Sequence, residues 1–314
     1  MGGKKDAADG KCVIRGGANR ERFAVHETRE KPAKKKSAAI RRWRRRLFSL
    51  VWGYLLLVII MMFLERSLIF FPTREGDWNP DWFTFEDAHF TAPDGVRLHG
   101  WYLEHDNPRA VILFAHGNGG NQSHRAPMLE KLRREMRATV MIFSYRGYGK
   151  SEGRPDEPGI LADARAARAW LANRAGVAER EIVLMGRSLG GGVAVDLAAR
   201  DGARALILES TFTSLPDTAA HHYPWLPVRW VMRTRLDSIS KIKNYHGPLL
   251  QSHGTGDTIV PFELGRHLFD AAPSPEKQFV TLPGLDHNDP QTDVFYQALD
   301  AFLESIAARE TAAE

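Results

Sequence analysis

The chain has 314 residues, of which 43% are hydrophobic and 26% charged, with a net charge of +5. That length allows one sizeable α/β domain with an appendage or two small domains, and the single cysteine, Cys12, excludes an internal disulfide. The charge is unevenly spread: residues 1–46 hold 16 Lys and Arg against 5 Asp and Glu, an excess of +11, which leaves the remainder at −6.

The basic arm lacks interleaved aromatic residues and stands directly against an apolar segment, which points to a membrane and away from nucleic acid. That segment, LFSLVWGYLLLVIIMMFL over 47–64, carries no charge and is about 27 Å long as a helix, enough to cross a bilayer. The basic region before it is too long for a removable signal peptide, its apolar core is too long as well, and no small-x-small cleavage site follows. RRWRRR at 41–46 abuts one end, while Glu65 and Arg66 nearly cancel at the other, so the positive-inside rule keeps the N-terminus cytoplasmic and the following domain across the membrane.

Beyond Pro72 the pattern becomes strands and helices. FTFEDAHFTA and VRLHGWYL are separated by Pro93, Asp94 and Gly95, a turn signal that predicts an antiparallel hairpin. Strand-like runs then alternate with helical ones: AVILFA (110–115), a helix within 124–137, TVMIFSY (139–145), a helix around 159–174, EIVLM (181–185), a helix over 192–200 and ALILE (205–209). After an interval at 210–248 come PLLQSHG, a helix near 262–271, QFVTL (278–282) and a closing helix over about 292–308. This alternation predicts a mostly parallel sheet with helices on both faces, whose ligands bind beyond the carboxyl ends of the strands.

Four of those corners carry unusual chemistry. Gly186, Ser188 and Gly190 make G-x-S-x-G between an apolar strand and a helix, the setting in which a serine is lifted clear of the sheet on a strained turn. A serine hydroxyl needs a base within reach and a third group to orient it. Asp257 in TGDTIVP follows the penultimate predicted strand and His287 in LDHND follows the last, giving the order Ser, acid, His. Glu209, at a strand end, is the nearest rival acid, and His221 and His222 are rival bases. Asp286 and Asp289 sit too close to His287 in sequence to orient its ring from behind, and Ser151 reads as a loop-capping serine. The fourth corner, FAHGNGGN at 114–121, supplies glycines that let backbone amides turn toward a developing oxyanion; the predicted donors are the N–H groups of Asn118 and Leu189.

HGNGG, SYRGYGKSEG, GRSLGG, HGTGDTIVP and GLDHND, in that order, resemble the α/β-hydrolase superfamily. With RSLIFFPT after the apolar segment and ESTFTS after a strand, the chain is similar more narrowly to short-capped, membrane-anchored α/β-hydrolase-domain proteins that act as serine hydrolases of acyl substrates. The resemblance implies an α/β-hydrolase fold preceded by one transmembrane helix, with nucleophile, acid and base at Ser188, Asp257 and His287. It departs from depalmitoylating relatives in having no cysteine-rich N-terminus, so cytoplasmic protein depalmitoylation is not supported. The expected layout is a disordered cytoplasmic arm (1–46), a span (47–64), a juxtamembrane linker (65–80), a hydrolase domain (81–309) with a small cap (210–248) of one or two short helices, and a tail (310–314). Tyr223, Trp225 and Trp230 of the cap are expected to line an acyl groove, with packing against the sheet as the equal alternative. Ester hydrolysis without metal or organic cofactor is the leading expectation, on an acyl ester or a lipid that enters from the bilayer, with no nucleic-acid partner. A peptidase or amidase, an acyltransferase, and a non-catalytic tethered scaffold are the alternatives.

Overall fold

A computed structural model describes residues 33–313, with side chains described over 39–309. Most of the basic arm, Cys12 included, lies outside the described residues. The chain divides into two units that meet between Tyr54 and Leu55.

The first element is one helix, α1, Ala33–Ile69, within which Ala39–Ile69 is long and apolar enough to cross a membrane. The helix begins inside the stretch expected to be a disordered arm and ends inside the expected linker. Lys, Arg and Ala are strong helix formers, and a helix already nucleated by its apolar run extends through them at little cost.

The second unit is built on eight strands: β1, Glu86–Thr91; β2, Arg97–Leu103; β3, Ala110–Ala115; β4, Ala138–Ser144; β5, Val183–Arg187; β6, Ala205–Glu209; β7, Leu249–Gly254; and β8, Lys277–Leu282. They lie in the order β1-β2-β4-β3-β5-β6-β7-β8. The β1–β2 hairpin turns at Gly95 (φ 86°), β2 runs antiparallel to β4, and the other neighbours are parallel.

Six helices connect and cover these strands: α2, Ala126–Arg134; α3, Glu157–Ala175; α4, Leu189–Asp201; α5, Leu215–His222; α8, Phe262–Ala271; and α9, Asp293–Ala313. Two shorter ones, α6 (Val228–Val231) and α7 (Ser238–Lys241), join α5 in the cap interval. The closing helix thus runs through most of the expected tail. The cap holds three short helices where one or two were expected, because Pro224 and Pro227 follow α5 and cannot continue it.

Strand period decides the layering. Val111, Leu113 and Ala115 of β3 face a core shared with Leu171 of α3, Val193 and Leu197 of α4 and Leu268 of α8. Ala110, Ile112 and Phe114 face the other core, with Leu129 of α2 and Phe295 and Leu299 of α9. A strand buried on both faces reads as an unbroken apolar run, which is why AVILFA is legible as one.

Candidate active site

Ser188 lies between β5 and α4 with φ 53° and ψ −116°, backbone values that cost an ordinary residue about 1–3 kcal/mol. The surrounding structure holds it there: its N–H donates to the Glu209 carbonyl (2.9 Å), and its carbonyl accepts from the Gly191 N–H (2.9 Å) and the Thr211 hydroxyl (2.9 Å). The flanking glycines are required by contact. A Cβ on Gly186 would lie 2.2 Å from the Gly190 carbonyl oxygen, and one on Gly190 would lie 1.9 Å from that of Ala115. The strand persists through Arg187, paired with Glu209, and the helix starts at Leu189, three residues before the sequence pattern places it.

The two later corners converge on this turn. His287 Nε2 is 3.0 Å from Ser188 Oγ, and His287 Nδ1 is 2.7 Å from Asp257 Oδ2. A carboxylate at Nδ1 makes that nitrogen the protonated one, which leaves the Nε2 lone pair toward the serine hydroxyl. Asp257 has a fully buried side chain, and its Oδ1 accepts from the N–H groups of Ile259 (2.9 Å) and Val260 (2.7 Å). Burial alone would raise its carboxyl, but hydrogen bonds from His253 and His287 and from the Val260 amide outweigh it and hold the group well below the usual carboxylate range.

The rival residues have other tasks. Glu209 is buried, accepts from Gln291 Nε2 (2.8 Å) and lies 4.0 Å from Arg187; burial raises its carboxyl, with Arg187 pulling the other way. Asp286 Oδ1 accepts from the Thr258 N–H (2.8 Å) and hydroxyl (2.8 Å) and from the His287 N–H (2.7 Å), tying the Asp257 loop to the His287 loop. Asp289 Oδ2 accepts from the Asp286 N–H (2.8 Å). His222 Nε2 faces the Ile259 carbonyl at 2.8 Å, and His221 is exposed. Ser151 Oγ donates to the Ser144 carbonyl (2.7 Å) and accepts from the His99 N–H (3.0 Å), as a loop cap does.

Asn118 and Leu189 line the same cleft as Ser188 and His287. Leu189 opens α4, so its N–H has no acceptor within the helix. The Asn118 loop is fixed from three directions. Tyr145 Oη donates to the His116 carbonyl (2.9 Å), Tyr148 Oη donates to Asn118 Oδ1 (2.6 Å), and Asn118 also bonds the Phe71 N–H and the Ile69 carbonyl at the end of α1. His116 is fully buried, burial pushes its ring down to about 3, and its Nδ1 faces the Gly117 carbonyl at 2.6 Å, so the loop carries no charge from it near neutral pH.

The cleft has a volume of about 380 Å³, and its apolar wall comes from Ile69, Phe71, Phe212, Leu215, Ile259 and Val260. Tyr223, Trp225 and Trp230 are not part of that wall. Pro224 and Pro227 end the path of α5, and the segment that follows packs on the second half of α1, where Leu226 and Val228 cover Val58. Among the described residues no group of three or more His, Cys, Asp or Glu side chains is placed to hold a metal ion.

Residues 110–240 match the family model of the α/β-hydrolase fold. The chain is 39% identical over 261 residues to an uncharacterized protein of Mycobacterium tuberculosis, covering 79% of this chain and 91% of the relative. It is 35% identical to the α/β-hydrolase domain-containing protein WAV2 of Arabidopsis thaliana, over 71% of this chain and 80% of that one. The chain belongs to the α/β-hydrolase family. The fold of the hydrolase also matches that of an esterase from Pyrococcus furiosus, with a TM-score of 0.61 at 21% identity, covering 76% of this chain and 98% of that one.

Three residues of this hydrolase escape motif reading. Arg187, the variable position before the serine, donates from Nη2 to the carbonyls of His287 (2.6 Å) and Asp289 (3.2 Å), clamping the histidine loop. Tyr148 braces Asn118. His253, the last side chain of β7 before Gly254, is fully buried, with Nε2 2.9 Å from the Val260 carbonyl and 3.2 Å from Asp257 Oδ2. The only signal for them is that each lies inside a quoted motif; the partners of Arg187 and Tyr148 are distant in sequence, while those of His253 lie four and seven residues on.

Proposed function

We propose that this α/β hydrolase is a membrane-anchored serine hydrolase that cleaves carboxylic esters through an acyl-enzyme. The observation that carries the reading is the continuous line from Ser188 Oγ through His287 to Asp257, with contacts of 3.0 and 2.7 Å, at one wall of a cleft. Ser188 Oγ attacks the ester carbonyl as its proton passes to His287 Nε2. The N–H groups of Asn118 and Leu189 stabilise the oxyanion, each worth on the order of 10² to 10³ in rate. The intermediate collapses, the alcohol departs with the proton from Nε2, and Ser188 is left acylated. Water then attacks that ester, giving its proton to His287 and releasing the carboxylic acid with Ser188 restored. Asp257 stays ionised, fixing the ring and balancing the imidazolium.

The anchor is α1, which enters the bilayer with Arg41–Arg46 on the cytoplasmic side, so that the catalytic unit lies on the opposite side. The test of the chemistry is labelling of the full-length protein with a fluorophosphonate, together with hydrolysis of p-nitrophenyl acyl esters. Ser188→Ala is expected to abolish labelling and lower kcat/KM by at least about 10⁴-fold. Labelling that survives this change, or a wild-type protein inert toward both reagents, overturns the reading.

A further inference from the structure

The second half of α1 does not end as a free anchor. Val58 is only 8% exposed, packed with Leu226 and Val228 of the cap and flanked by Met61, Met62 and Met232. The Glu65 carboxylate accepts from the backbone N–H groups of Arg233 (3.0 Å) and Thr234 (2.6 Å). Glu65 is the residue at which the apolar run 47–64 stops, and Val58 lies seven residues earlier, about 10 Å farther along the helix axis. The cap is therefore fastened to α1 at the end of its apolar run and extends beside it toward the hydrocarbon by about 10 Å. That distance falls at the upper end of the depth to which interfacial segments lying on one leaflet sink, about 5–10 Å.

The outer surface of this part of the cap suits such a position. Trp230 is 90% exposed, Trp225 56% and Tyr223 48%, an arrangement costly toward water but favoured at the boundary between headgroups and acyl chains. Arg229, Arg233 and Arg235 interleave with Trp230, Val231 and Met232 in VRWVMRTR, and long basic side chains can lay their stems along apolar surface while reaching headgroup phosphates. Phe63, 85% exposed on α1 itself, adds to the same class of surface.

We infer that the cap segment 223–235 is a membrane-docking face, seated in the headgroup region of the leaflet in which the outer end of α1 sits. This deepens the proposed ester hydrolysis and rests on it only for its consequence. An apolar cavity of about 120 Å³ between α1 and the cap is lined by Met61, Leu68, Ile69, Tyr223, Leu226 and Val231, and Ile69 also lines the cleft at Ser188. An ester whose acyl chain remains in the leaflet reaches Ser188 along this wall, so the substrate class is a lipid ester of that leaflet.

The test uses the full-length protein in phosphatidylcholine–phosphatidylglycerol vesicles, in a Cys12→Ser background, with an environment-sensitive fluorophore on Trp230→Cys and, separately, on Arg180→Cys before β5. The label at 230 is expected to shift to the blue and to be quenched by a lipid nitroxide placed near the headgroup, while the label at 180 is quenched only by aqueous iodide. Iodide quenching of both labels with no effect of the nitroxide lipid overturns the docking face, whatever the catalytic outcome. In a second arm, Trp225→Ser with Trp230→Ser is expected to lower hydrolysis of a long-chain ester held in the vesicles, relative to fluorophosphonate labelling of Ser188 in detergent, by about tenfold. An unchanged ratio overturns the lipid-ester substrate. Failure of the wild-type protein to label overturns the esterase reading and leaves the fluorophore result to decide docking by itself.

Discussion

Asp257 is approached by two histidines, and only His287 also reaches Ser188. The other, His253, is buried with Nε2 2.9 Å from the Val260 carbonyl and 3.2 Å from Asp257 Oδ2, so a single N–H is shared between the loop backbone and the carboxylate. A hydrogen bond to a charged group contributes about 1.5–3 kcal/mol, and here the sharing fixes the oxygen to which His287 Nδ1 must point. His253→Leu is expected to lower kcat roughly 10- to 100-fold with little change in KM, and His253→Gln, which keeps a side-chain N–H, to recover part of the loss. Steady-state kinetics normalised to the fluorophosphonate-reactive fraction checks this; equal losses in both variants, or a change confined to KM, count against a positioning role. His253 was visible in HGTGDTIVP, but nothing local in that string says that its ring lies beside the aspartate. Asp257 and His287 stand out in the sequence because each closely follows a predicted strand. Arg187 does not stand out in this way, because its partners are the carbonyls of residues 287 and 289, far along the chain.

At the scale of elements, the turn from β5 to α4 joins strain at one residue to close packing at its neighbours. Sequence propensity places the start of the helix after the glycines, since Gly is a poor helix former. The structure starts it at Leu189 and uses the glycines as helix residues, because the backbone at Gly190 lies against the carbonyls of Ala115 and His116. The same approach sets the Asn118 loop beside Ser188 in one cleft. Gly190→Ala is therefore expected to destabilise the protein by about 3 kcal/mol, lowering Tm by roughly 6–12 °C, and to reduce fluorophosphonate labelling of the fraction that still folds. A scanning calorimetry trace superimposable on the wild type would contradict the packing argument. The runs AVILFA and ALILE match β3 and β6 end to end, and both strands are buried along their whole length, where burial forces an apolar run. The start of α4 shifted because of the packing at Gly190, and that of α1 because strong helix formers precede its apolar run.

For the whole molecule, the proposed sidedness rests on charge. Five arginines at 41–46 stand on one flank of the apolar run and a compensated pair, Glu65 and Arg66, on the other; Arg66 is itself paired with Asp156 at 2.6 Å, so that flank offers little positive charge to retain. An alkaline phosphatase fused to the C-terminus is expected to be active and a reporter that works only in the cytoplasm to be silent there, while Asn at positions 41, 42, 44, 45 and 46 mixes the two outcomes. A cytoplasmic reporter active in the unmodified sequence reverses the orientation. Hydrophobic period and turn chemistry are local properties, so the sequence by itself determined the alternating strands and helices, the apolar helix long enough to cross a membrane and the strand-end places of Ser188, Asp257 and His287. Distances between segments far apart in the chain are not local. Tertiary structure alone decided that Tyr148 and the end of α1 brace Asn118, that Glu209 faces Gln291 and not His287, and that the cap packs Leu226 and Val228 on α1 and leaves Tyr223, Trp225 and Trp230 outside the cleft at Ser188, because each depends on how packed elements meet and no single segment encodes that meeting.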